Sequence, residues 1–133
     1  MNRFLLSILS VFSMVLAAAA VYAGVVDATD KTYYDEVVRS DRPVVLEFWA
    51  PYCPACRKMS GVVDQLAKEY DGKLKVVKIN TEDNMEVAKK YNVDRIPSFF
   101  YVKDGYTEGS TIGGMNLARL KKELGLPAPD KMQ

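Results

Sequence analysis

Two cysteines, Cys53 and Cys56, are the only ones in a chain of 133 residues, and they stand at a sharp change of pattern. Before them runs Val44-Val45-Leu46-Glu47-Phe48-Trp49, apolar except at one position and without alternation. After them, Met59, Val62, Val63, Leu66, Ala67 and Tyr70 recur at helical spacing. A short continuous apolar run reads as a strand buried on both faces. A covered strand that ends in Cys-x-x-Cys and passes at once into a long helix restricts the fold to one that delivers both thiols to a helix N-terminus.

The rest of the chain fills in such a fold. Residues 25–27 form a short strand. Thr29 or Asp30 caps a helix running to about Arg39, with Tyr33, Val37 and Val38 on one face. Residues 40–43 turn into the strand 44–49, and the long helix spans 53–70, with Gly61 allowing a bend. A strand at 74–80 and a helix at 82–91 follow. The strand 98–103, the turn Asp104-Gly105 and the strand 107–112 make a hairpin. Gly113-Gly114 breaks it, and Asn116 caps a last helix with Leu117, Leu120 and Leu124 inward. Strands alternating with helices, then a hairpin and a closing helix, predict an α/β domain over 24–125. Its central mixed sheet is flanked by helices on both faces. Residues 126–133, with two prolines, are expected to form a flexible tail.

Residues 1–23 are of another kind. Arg3 precedes a stretch, 4–20, that is apolar apart from three serines, and Val21-Tyr22-Ala23 offers the small residues a signal peptidase reads. This is the pattern of a secretory signal peptide cleaved after Ala23. The alternative is an uncleaved membrane anchor through 4–20, near the short limit for a bilayer span. The pattern predicts a periplasmic or otherwise extracytoplasmic protein, where a disulfide persists unless something reduces it. Cleavage removes Arg3 and no acid, so the 18 basic side chains fall to 17, equal to the 17 acidic ones. That balance gives no reason to expect nucleic acid as a partner.

The chain has no histidine. Ser-His and Cys-His nucleophilic sites and imidazole-dependent zinc sites are excluded. Two cysteines also cannot complete a four-thiolate metal site within one chain. They do suit reversible disulfide chemistry. Residues three apart in a helix lie about 5–6 Å apart, within the range a disulfide tolerates. Pro54 suits the first helical position, where no hydrogen bond is lost. Cys53, at the helix start, gains from free N–H groups and the helix dipole, which favour the attacking thiolate. Cys56 is then the resolving thiol. The competing reading is a structural disulfide, although so short a loop is a poor staple.

Glu47 interrupts the apolar strand on the side of Val45 and Trp49. Buried there, its carboxyl titrates above the ordinary range and is placed to take the proton of Cys56; at a sheet edge it would simply face water. Lys78 makes a similar break in β-pattern residues 76–79, and either pairs with Glu47 or snorkels to solvent. Pro97 opens the strand 98–103. From local sequence alone, its bond is expected to be trans.

With these residues in place, the chain resembles a thioredoxin from about Val25 to Leu124. Phe48-Trp49-Ala50 followed by Cys53-Pro54-Ala55-Cys56 is similar to the family's Phe-Trp-Ala-x-x-Cys-x-x-Cys signature. Glu47 falls where the family has a buried acid, normally aspartate, and Lys78 where a lysine neighbours it. Ile96-Pro97 matches the family's cis-proline, which implies a cis bond beside the active-site disulfide. Gly105 and Gly113 match glycines of the closing hairpin and the substrate groove. The resemblance implies a thioredoxin fold, no organic cofactor, and a groove lined by Trp49, Tyr52, Ile96, Pro97 and Gly113. The departures are Pro54-Ala55 for the family's Gly-Pro, Tyr52 for tryptophan, and Gly61 for a helix-kinking proline.

The expected function is that of an exported, monomeric thiol–disulfide oxidoreductase that reduces protein disulfides through Cys53 and Cys56. Its electrons would come from a membrane-embedded dithiol donor. Two other readings stay open on the sequence. The same chemistry could run in reverse, as an oxidant or isomerase, because tenfold in such equilibria corresponds to only about 30 mV. Or the groove could serve a chaperone or assembly module, or two chains could share a metal through four thiolates.

Overall fold

The run interrupted by Glu47 becomes the middle strand of a five-stranded sheet. The computed structural model describes residues 24–133; the expected signal segment 1–23, its cleavage after Ala23 and the alternative anchor over 4–20 lie outside the described residues. Strands β1 (Val25–Ala28), β2 (Val44–Trp49), β3 (Lys75–Asn80), β4 (Ser98–Lys103) and β5 (Tyr106–Ile112) lie in the order β1-β3-β2-β4-β5. β3 runs parallel to β1 and β2, whereas β4 is antiparallel to β2 and β5. β2 is therefore paired along both edges and covered on both faces, which is why its apolar residues do not alternate with polar ones.

Three helices, α1 (Pro54–Glu69), α2 (Met85–Lys90) and α3 (Leu117–Leu124), complete the frame. Side chains alternate between the faces of a strand. Val45, Val76, Phe99 and Tyr101 meet Met59, Val63 and Leu66 of α1 and Leu120 and Leu124 of α3. Leu46, Phe48, Val77 and Ile79 face the other way, onto Tyr33, Val37 and Val87 of α2. The mixed sheet flanked on both faces is the one expected from the sequence. At the hairpin, Asp104 and Gly105 both have positive φ, 51° and 79°, as a two-residue turn matched to twisted strands requires.

Three local expectations need correction. The first helix, expected over 29 or 30 to 39, is instead a turn followed by a single π-type segment, Tyr34–Val38, closed by the Arg39 N–H on the Tyr34 carbonyl at 2.9 Å. Thr29 does not cap this segment but closes the turn before it, its carbonyl accepting from Tyr33 N–H at 2.8 Å. Asp30 serves a different helix. Its carboxylate accepts the N–H groups of Val87 and Glu86, at 2.9 and 3.3 Å. The buried Asn84 bonds the Asp30 N–H and the Asn80 carbonyl, so the start of α2 is held back to Met85 rather than 82.

Residues 126–133, expected to form a flexible tail, instead pack against the domain. Leu126 packs on the core, Tyr70 donates its hydroxyl to the Pro127 carbonyl at 3.0 Å, and Met132 is 7% exposed within the cluster under α1 and α3. A short helical turn, Pro129–Lys131, carries the chain there. The prolines that suggested looseness pre-set its backbone.

Candidate active site

β2 ends at Trp49, and the chain turns through Ala50, whose carbonyl accepts the Cys53 N–H at 3.2 Å. Cys53 then caps α1 and Pro54 occupies its first position. Proline has no N–H to lose there, and its fixed φ is already helical. The two cysteines form a disulfide, their Cα atoms 5.2 Å apart, and the Cys56 N–H points at Cys53 Sγ at 3.1 Å. A free N–H and the positive end of the helix dipole thus lie on the sulfur that would carry negative charge once the bond is reduced. Cys53 is the more accessible of the pair, 7% exposed against 2% for Cys56.

Glu47 is 1% exposed, and neither carboxyl oxygen has a hydrogen-bond partner among the described residues. It lies two residues from Val45, on the face that α1 covers. Burial pushes its carboxyl up from the ordinary 4.5 to about 7, and the Lys78 ammonium pulls against that shift. Lys78 is the register partner of Glu47 on β3, yet the two form no ion pair. The Lys78 ammonium rests instead over the Trp49 ring, 4.3 Å from its centroid, in a half-buried cation–π contact. Of the two sequence readings for Lys78, direct pairing with Glu47 is not what the structure holds; the ammonium is carried out of the strand interior, but onto the Trp49 ring rather than fully into solvent.

The Ile96–Pro97 bond is cis, as the resemblance implied and local sequence alone did not. The Ile96 carbonyl lies 3.9 Å from Cys53 Sγ. The Pro97 carbonyl accepts the Gly113 N–H at 2.8 Å, and Gly113 has φ 99°, a conformation that L side chains resist. Cys53, Ile96, Pro97 and Gly113 are thus brought to one edge of the site. Tyr52, 66% exposed, shares a cleft with Ile96, Thr81, Met85, Ala88 and Val93. Trp49 lines a different cleft with Lys78, Asp27 and Asn80, so the expected groove residues divide between two hollows.

Sequence reasoning did not single out Thr81 or Met85. Thr81 bonds the Trp49 carbonyl through its N–H at 2.9 Å, fixing the end of β2 to the end of β3. Met85, 59% exposed, is an apolar residue on the first turn of a short helix, and only its proximity to Tyr52 distinguishes it. Among the described residues no group of three or more cysteine or acidic side chains is placed to hold a metal ion.

Residues 24–125 match the family model described as Thioredoxin. Thioredoxin 1 of Nostoc sp. is 42% identical over 96 residues, which cover 72% of this chain and 90% of that protein. The chloroplastic M-type thioredoxin of Pisum sativum is 35% identical over 125 residues, covering 93% of this chain and 73% of that protein. The thioredoxin of Pseudomonas aeruginosa is 35% identical over 96 residues, covering 72% and 89%.

Proposed function

The chain belongs to the thioredoxin family, and from that premise we propose that it is an extracytoplasmic protein-disulfide reductase acting as a single chain. Thioredoxins reduce protein disulfides through a redox-active cysteine pair and need no cofactor. In the proposed cycle Cys53, as thiolate, attacks one sulfur of a client disulfide. A mixed disulfide forms and the client's other sulfur leaves as thiolate. Cys56 then gives its proton to Glu47 and attacks Cys53 Sγ, which releases the second client thiolate. Two electrons have passed to the client, and the protein is left in the disulfide form described above. A carboxyl that titrates at about 7 exchanges its proton readily at neutral pH, which suits it to that transfer.

Trp49, Tyr52, Ile96, Pro97 and Gly113 would seat the client chain beside Cys53, and Lys78 would hold the Glu47 titration near neutrality. The export pattern of residues 1–23 supports the location. There the electrons would return from a membrane-embedded dithiol, since cytoplasmic reductases lie on the other side.

The observation that carries this reading is the Cys56 N–H on Cys53 Sγ, with a buried carboxyl on the strand leading to it that has no hydrogen-bond partner among the described residues. Cys53→Ser should abolish insulin disulfide reduction, and Cys56→Ser should accumulate mixed disulfides with clients and with the donor. Unchanged turnover in either variant would refute it. Residues 1–23 fused to a reporter active only outside the cytoplasm should yield active reporter; silence there would refute the location.

A further inference from the structure

The loop that follows β5 begins at Gly113 and ends at Asn116, whose side chain accepts the Arg119 N–H at 2.9 Å and caps α3. Its first residue is tied to Pro97. Its third, Met115, makes a single hydrogen bond through its N–H among the described residues, and the acceptor is a sulfur, Met59 Sδ at 3.3 Å. Met59 is 2% exposed and sits on α1 one turn beyond Cys56. A thioether is a weak acceptor, but here it offers the half-buried Met115 amide a partner that a hydrocarbon side chain would not.

These contacts close a ring around the cysteine pair. It runs from Cys53 to the Ile96 carbonyl, from Pro97 to Gly113, from Met115 to Met59, and back along α1 to Cys56. We propose that Met59 is a positioning residue: its sulfur ties the 113–116 wall of the client groove to the helix that carries the thiols. This rests on the thiol–disulfide reading given above. The wall and the cysteines then keep a fixed separation while a client chain lies between them. Met59 touches no reacting atom, so its influence falls on how clients are seated.

The test is Met59→Leu, which keeps the apolar volume and removes the acceptor. The KM for insulin should rise by up to about threefold, since a thioether is a weak acceptor and only part of that bond is felt by the client, with kcat little changed. Amide hydrogen exchange at Met115 should speed up in the variant. In the unmodified protein the Met115 amide should exchange more slowly than that of exposed Gly114, which tests the tether even if the variant folds poorly. Equal exchange at 114 and 115 in the unmodified protein would overturn the proposal. So would a variant that loses kcat with KM unchanged, the sign of general damage. Amide exchange does not depend on catalysis, whereas insulin reduction surviving Cys53→Ser would overturn the thiol reading itself.

Discussion

Replacing Glu47 by glutamine should abolish a pH dependence of stability that the unmodified protein carries. In the native state the carboxyl keeps its proton to about pH 7, because burial penalises the charge, with the Lys78 ammonium opposing. In the unfolded chain it releases that proton near 4.5. Between those values the native state binds the extra proton, so stability falls as pH rises. The loss begins near pH 4.5, is complete somewhat above pH 7, and then stays constant. At 1.36 kcal/mol for each tenfold, the gap amounts to about 3 kcal/mol, a large share of a typical domain's stability. Glutamine has the shape of the protonated acid and does not titrate. Urea unfolding of the oxidised protein isolates the effect, because the disulfide cysteines do not ionise. Between pH 5 and 8.5 the unmodified protein should lose about 2–3 kcal/mol relative to Glu47→Gln, a midpoint change of roughly 1–2 M at ordinary slopes. Parallel profiles over that range would refute the reasoning, since they would mean that the native carboxyl is as well solvated as an unfolded one.

Gly61 lies exposed in mid-helix, and a methyl added there meets nothing within 4 Å, so Gly61→Ala should stabilise the protein by about 0.5–1 kcal/mol in thermal or urea unfolding. Gly109→Ala should do the reverse, because its Cβ would run into the Leu124 backbone at the end of α3; a loss of about 1–3 kcal/mol is expected by the same measurement. Met132→Ala empties a site in the core under α1 and α3, and should cost about 2 kcal/mol or more, where a truly loose tail would show no change.

Patterns confined to neighbouring residues were legible before the structure. β2 showed itself by apolar residues without alternation, α1 by its spacing and Pro54, and the hairpin by Asp104-Gly105. What escaped depends on contacts between distant parts of the chain. Asp30 has the right residue type for a nearby cap, yet its acceptors serve α2, more than fifty positions away. Lys78 and Glu47 are register partners, as a buried pair would be, but a flexible stem lets the ammonium reach the Trp49 ring, where it stays partly solvated. Charge in the dry strand interior would have lost that water. Met59 read as one more apolar residue of α1, because nothing in sequence says that its sulfur will meet an amide from the far end of the sheet.

The place of β5 at the rim of the sheet has a consequence for warm or stressed molecules. Fraying begins at rims, where a strand has one neighbour, and reaches the doubly paired β2 last. Gly113 hangs from the end of β5, while the cysteines hang from the end of β2. A molecule that starts to open would therefore lose its grip on large clients while its sulfurs still answered small thiols, and selectivity would fade before reactivity.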